Sequence, residues 1–127
     1  MITTIPLGIK LPYRKGHAGY FVQTHSDMER ALHNLKMLLM TAKGERPMMP
    51  TYGSELRELL FEPNVADFMD DLFEDAVKES TALWMPEVTI IYVKVERDLN
   101  TPSTATLHIG FLVTNIPNSE QILTIEV

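Results

Sequence analysis

The sequence predicts an α+β fold: an N-terminal arm, then three helices, one of them short, packed on a C-terminal antiparallel three-stranded meander. Three observations point there. Apolar residues recur at spacings of three and four between Ser26 and about residue 82, the period becomes two after Trp84, and residues 1–25 show neither pattern. A chain of 127 residues fits one hydrophobic core better than two. The organisation expected is an extended arm over 1–25 and a single domain over 26–127.

In the arm, Pro6, Gly8, Pro12, Gly16 and Gly19 interrupt any helix and leave only short strand-like pieces. Ser26 and Glu29 have the S-x-x-E spacing of a capping box, which opens a helix by satisfying free backbone N–H groups of its first turn. Met28, Ala31, Leu32, Leu35, Leu38, Leu39 and Ala42 then share one apolar face, and Gly44 is a natural left-handed stop, so the helix is expected over about 26–43. Pro47, Pro50 and Gly53 stiffen the following loop. Ser54 is placed to cap a short helix with Leu56, Leu59 and Leu60 on one face, which Pro63 ends. Asn64 can cap a further helix over about 65–82. Its apolar positions are Val65, Phe68, Met69, Leu72, Phe73, Ala76 and Val77, with acids largely off that face.

After Pro86 come three β-branched, apolar runs, Val88 to Arg97, Ala105 to Thr114 and Gln121 to Val127, separated by turn-like clusters at 98–103 and 115–119. Strands joined so closely pair antiparallel. In the middle run Leu107, Ile109, Phe111 and Val113 alternate with Thr106, His108, Gly110 and Leu112, so one face is the more apolar and should receive the helices. A three-stranded sheet has an exposed edge, and Ile122 to Val127 carry little charge to discourage pairing with another strand.

Composition narrows the function. With 45% hydrophobic and 22% charged residues the chain should fold rather than remain disordered. No apolar run reaches the roughly 20 residues that span a bilayer, and the first residues lack the pattern of a secretion signal. There are no cysteines, hence no disulfide, thiolate nucleophile or thiolate metal site. The net charge of −6 is uneven: residues 1–50 carry seven Lys/Arg against three Asp/Glu, whereas 51–79 carry two against nine. An acidic total without a dense basic cluster argues against nucleic acid, and the dipolar distribution suits docking between proteins.

The side chains that could carry chemistry have simpler readings. Glu55, Glu58 and Glu62, with Asp67 and Asp70, could supply the two carboxylates of a glycosidase, which needs one protonated and one ionised across a sugar, but acids that coat solvated helix faces and complement helix N-terminal dipoles are the rule. His17, His25, His33 and His108 lack metal-ligand spacing. Gly53-Ser54-Glu55 does not match a nucleophile elbow, and N-capping accounts for Ser54. The eight methionines read as core or as adaptable interface filler. No cofactor, metal site or catalytic residue is expected.

One resemblance is specific. Gly44-Glu45-Arg46-Pro47, Pro50, Tyr52-Gly53, Leu56 and Leu59-Leu60-Phe61-Glu62-Pro63 resemble the signature of the phage baseplate wedge family, the gene-25-like proteins of contractile tails, which includes a type VI secretion baseplate subunit. The order of elements agrees over about residues 8–127. The resemblance implies a structural role in the tail baseplate of a virion, after synthesis in the host cytoplasm. Other wedge proteins and the tail sheath protein would be the partners, six copies would surround the tail axis, and neither nucleic acid nor membrane would be bound. It further implies that the C-terminal sheet offers an edge to the first sheath ring. Gln121, Ile122, Leu123, Thr124, Ile125, Glu126 and Val127 are the residues expected at that interface. Some relatives are described as lysozymes, so the alternative is a peptidoglycan-cleaving glycosidase using Glu55, Glu58 or Glu62. The family's frequent Glu-Pro-Arg is replaced by Met85-Pro86-Glu87, and no contact made by that Glu or Arg carries over.

Overall fold

In the computed structural model, residues 8–16, 21–60, 69–97, 100 and 104–126 are described. The first of these form a small antiparallel pair, β1 (Gly8–Ile9) with β2 (Gln23–Thr24), laid against helix α1 (Asp27–Met40). Next come a short helix α2 (Leu56–Leu60), a long helix α3 (Met69–Trp84) and the strands β3 (Val88–Arg97), β4 (Ala105–Val113) and β5 (Gln121–Glu126). The three strands form one antiparallel sheet in sequence order. This is the α+β fold read from the periodicities, although the expected helix start at residues 65–68 lies outside the described residues.

The core is the layer between helices and sheet. Leu35 and Leu38 of α1, Leu56 of α2, and Phe73 and Val77 of α3 are fully buried against Leu107, Ile109 and Phe111 of β4, with Leu123 and Ile125 closing the layer from β5. Each such side chain contributes about 1.5–3 kcal/mol by leaving water. The alternate residues of β4 and β5, among them His108, Thr124 and Ile122, lie on a face that no helix covers.

Local chemistry departs from expectation at three helix ends. Ser26 has the extended backbone of an N-cap, but its side chain makes no capping hydrogen bond. The capping box does not close, and Glu29 instead lies 3.7 Å from Lys10 of the arm. Helix α1 stops at Met40, not at 43. Thr41 turns extended with its hydroxyl donating to the Met37 carbonyl at 2.7 Å, and Ala42 enters a bridge with Ser54. Ser54 is also not a cap: its buried hydroxyl donates to the carbonyl of Leu39 at 2.7 Å and so ties the loop to α1.

The arm is held to α1 partly by His33, whose Nδ1 accepts the backbone N–H of Leu11 at 3.2 Å. That contact requires a neutral imidazole. Burial first, and then the charge of Lys10, lower the His33 pKa below its ordinary 6.5, against an opposing pull from Glu29. A base with a depressed folded pKa contributes stability in full above its unfolded value and loses it as pH falls below about 6.5. Acidification from pH 7.5 to 5.5 is therefore expected to lower the protection factor of the Leu11 amide, its exchange rate being referred to the intrinsic rate at each pH, while leaving that of the Leu107 amide unchanged. A His33→Gln variant should abolish that pH dependence of protection, and a Leu11 protection factor insensitive to pH would contradict the account.

Candidate protein-docking site

Two structural features stand out: the loop from Gly44 to Ser54 and the edges of the sheet. In the loop, Gly44 has φ +85° and its N–H donates to the Pro50 carbonyl at 2.8 Å. Glu45 folds back so that its carboxylate accepts the N–H of Ala42 at 2.9 Å, which satisfies a donor just beyond the end of α1. The Arg46 guanidinium lies 4.1 Å from the centre of the Tyr52 ring, and Tyr52 meets Trp84 edge-to-face at 5.1 Å. The same guanidinium approaches the Met37 sulfur at 3.3 Å. Arg46 thus joins α1, the loop and the end of α3. An Arg46→Ala change removes a cation–π contact and the packing of the stem together, so it is expected to cost about 1–2 kcal/mol in denaturant unfolding. Arg46→Lys should recover less than half of that, because an ammonium cannot stack as a planar guanidinium does.

Gly53, with φ +126°, runs so close to the end of α1 that an added Cβ would sit 2.5 Å from the Thr41 carbonyl oxygen. Leu56 is fully buried. Pro47 and Pro50 bracket the turn, in which Met49 donates its N–H to the Arg46 carbonyl. Gly44, Glu45, Arg46, Pro47, Pro50, Gly53 and Leu56 thereby form one structural unit. Leu60 closes α2, and Phe61, Glu62 and Pro63 lie outside the described residues.

The sheet has two edges, and they differ. On β4, Thr114 sends its N–H to the Glu87 carbonyl on the β3 side at 2.9 Å, whereas Val113 sends its own to the Ser119 hydroxyl on the β5 side at 2.8 Å. In an antiparallel ladder these directions alternate. The backbone groups of Leu107, Ile109 and Phe111 therefore face β5, where their partners are Ile125, Leu123 and Gln121. On β5 it follows that Ile122, Thr124 and Glu126 turn their N–H and C=O groups outward, away from the sheet. Their side chains are exposed, while those of Leu123 and Ile125 are buried. Val127 lies outside the described residues.

The opposite edge, β3, is obstructed. A register irregularity between Ile90 and Tyr92 bends it, and Asp70 at the start of α3 accepts the outward N–H of Val95 at 3.1 Å. Bulges and inward-reaching charges of this kind discourage pairing at an edge. Sequence reasoning placed Asp70 among solvated helix acids, and no one-dimensional signal could have shown that it meets a strand 25 residues away.

Met85, where the family's Glu-Pro-Arg would begin, is buried in the core, and the Glu87 carbonyl accepts both the N–H and the hydroxyl of Thr114. The segment works here as the packed entry to β3. Glu55 is half exposed and pairs with Lys43 at 3.0 Å, and Glu58 is exposed. That hydrogen bond, above all, raises the Lys43 pKa, and the pair is a surface contact of the kind that contributes little to stability. Among the described residues no group of three or more His, Asp or Glu side chains gathers in metal-binding geometry, and no helix is long and apolar enough to cross a membrane.

The family model of the baseplate wedge protein gp25 matches residues 25–118, well over half of the chain. The chain belongs to this family. The loop unit around Arg46 and the paired strands β3 and β4 thus fall within the part shared with other gp25-family wedge proteins. A sequence search of curated proteins returns no match. Among solved structures, a Geobacter sulfurreducens protein described as a candidate tail lysozyme superposes with a TM-score of 0.70 at 24% identity, covering 82% of this chain and 92% of that one. A chain of the anti-feeding prophage baseplate gives 0.69 at 24%, covering 87% and 86%. A chain of the type VI secretion baseplate complex gives 0.59 at 13%, covering 77% and 89%. At these identities the likeness is one of fold.

Proposed function

We propose that this wedge protein sits in the baseplate of a contractile tail, packs there with other wedge proteins, and starts the sheath by taking a sheath strand onto β5. The observation that carries the reading is the inequality of the two edges. Ile122, Thr124 and Glu126 turn their backbone groups away from β4 on an unbulged strand that has no further strand beside it among the described residues, whereas β3 is bent and its Val95 N–H is already taken. Main-chain bonds to an added strand supply affinity, and alternating side chains supply register. Solved chains of similar fold belong to the anti-feeding prophage baseplate, which was six-fold symmetrised, and to the type VI secretion baseplate complex, which supports a place in a baseplate and six copies around the axis. The test is co-expression with the sheath and remaining baseplate proteins, scoring sheathed particles for the wild-type chain and for edge variants. Normal sheaths on every edge variant would overturn the proposal.

The role proposed is non-enzymatic. A glycosidase acid must be shielded from water to keep its proton near neutral pH, and Glu55 and Glu58 are open to solvent. The purified chain is expected to release no peptidoglycan fragments. Release that disappears in a Glu55→Gln, Glu58→Gln or Glu62→Gln variant would contradict this.

A further inference from the structure

The uncovered face of the sheet is ordered in three rows that cross all its strands. Tyr92, Gly110 and Ile122 form the first. Gly110 leaves room for the Tyr92 ring, since a Cβ there would come within 2.3 Å of ring carbon Cε1, and Ile122 beside it is 62% exposed. The second row is Lys94, His108 and Thr124, with the His108 ring 3.2 Å from the Thr124 hydroxyl. The third is Glu96, Thr106 and Glu126. Within it Glu96 is neutralised by Lys94 at 3.4 Å and lies 3.5 Å from His108, whereas Glu126 has no cation within ion-pair distance among the described residues. A cavity of about 90 Å³ lined by Leu39, Met40, Arg57 and Glu126 lies beside the end of β5.

We infer that the strand taken up by β5 runs antiparallel to it and carries a lysine or arginine opposite Glu126, a β-branched polar residue opposite Thr124 and an apolar residue opposite Ile122, with apolar side chains between them turned to the core. This rests on strand docking at β5. Each directly opposed residue continues one row: the base completes the acidic row, and the apolar residue lies beside the Tyr92–Gly110–Ile122 strip. The antiparallel direction continues the pattern of the sheet and is the slightly more stable pairing per residue. The partner is thus an extended protein segment of the pattern base, apolar, polar, apolar, apolar, which sets the register through one charge pair at its first position.

The full chain is titrated with capped peptides of sequence Lys-Val-Thr-Val-Ile and Glu-Val-Thr-Val-Ile, and the amide resonances of Ile122, Thr124 and Glu126 are followed. The lysine peptide is expected to shift and protect those amides and to bind about three- to tenfold more tightly than the glutamate peptide, the span of one favourable cross-strand pair replaced by a repulsive one. In a Glu126→Lys variant the order should reverse. Equal binding of both peptides to both forms of the protein would overturn the charge-set register while leaving strand docking intact. Binding of neither peptide, with the three amides unperturbed, would overturn docking itself and the inference with it.

Discussion

Replacing Gly53 with alanine is expected to lower the melting temperature by about 10–20 °C, from a cost of about 3–5 kcal/mol in a domain of this size. Two effects combine. The backbone at φ +126° is strained for any residue with a Cβ, and the new methyl group would meet the Thr41 carbonyl oxygen at 2.5 Å and the Ala42 carbonyl carbon at 2.9 Å. Those are backbone atoms, so neither can swing aside. Relief would require parting the loop from the end of α1, which breaks the Ser54–Thr41 and Ser54–Leu39 hydrogen bonds. Gly44 is the control: it also has positive φ, at +85°, but a Cβ there meets nothing within 4 Å. Gly44→Ala should cost only about 1 kcal/mol, the strain of the left-handed region alone. Similar melting temperatures for the two variants would show that the close approach at Gly53 does not hold the loop to α1.

The second large effect concerns assembly. Thr124→Pro removes an N–H that points away from the sheet, so the ladder with β4 stays whole and edge strands tolerate the ring. The variant is expected to melt within a few degrees of the wild type yet reduce sheathed particles at least tenfold. Leu123→Pro deletes an N–H that faces β4 and a side chain that is 5% exposed in the core. It should unfold the sheet, at about 3 kcal/mol or more. Deleting residues 121–127 would be a poorer probe, because Leu123 and Ile125 leave the core with the edge. If Thr124→Pro and wild type sheathed equally well, β5 would not be where the sheath strand enters.

Much of this fold was legible because period and chemistry agreed. The alternation of Leu107, Ile109 and Phe111 with polar neighbours, and the 3.6-residue recurrence of Leu35, Leu38 and Leu39, each fix a face without tertiary information. Of the signature residues, Glu45, Arg46 and Gly53 each make a contact between the loop and α1 or its end. What failed were readings that assumed a side chain serves its nearest helix end. Glu29 is drawn to Lys10, Ser54 to Leu39 and Asp70 to Val95, all partners distant in sequence. Polar side chains at helix starts choose among several acceptors and donors, and only packing decides which is nearest. The inequality of the two edges was hidden for the same reason, since it depends on a bulge and on one carboxylate crossing from a helix.

The most direct measurement is a cryo-electron microscopy structure of the assembled baseplate with its first sheath ring. The account predicts a fourth strand beside β5, its backbone within hydrogen-bond distance of Ile122, Thr124 and Glu126, and no strand beside β3. A map in which β5 faces solvent, or in which the sheath strand pairs with β3, would contradict it.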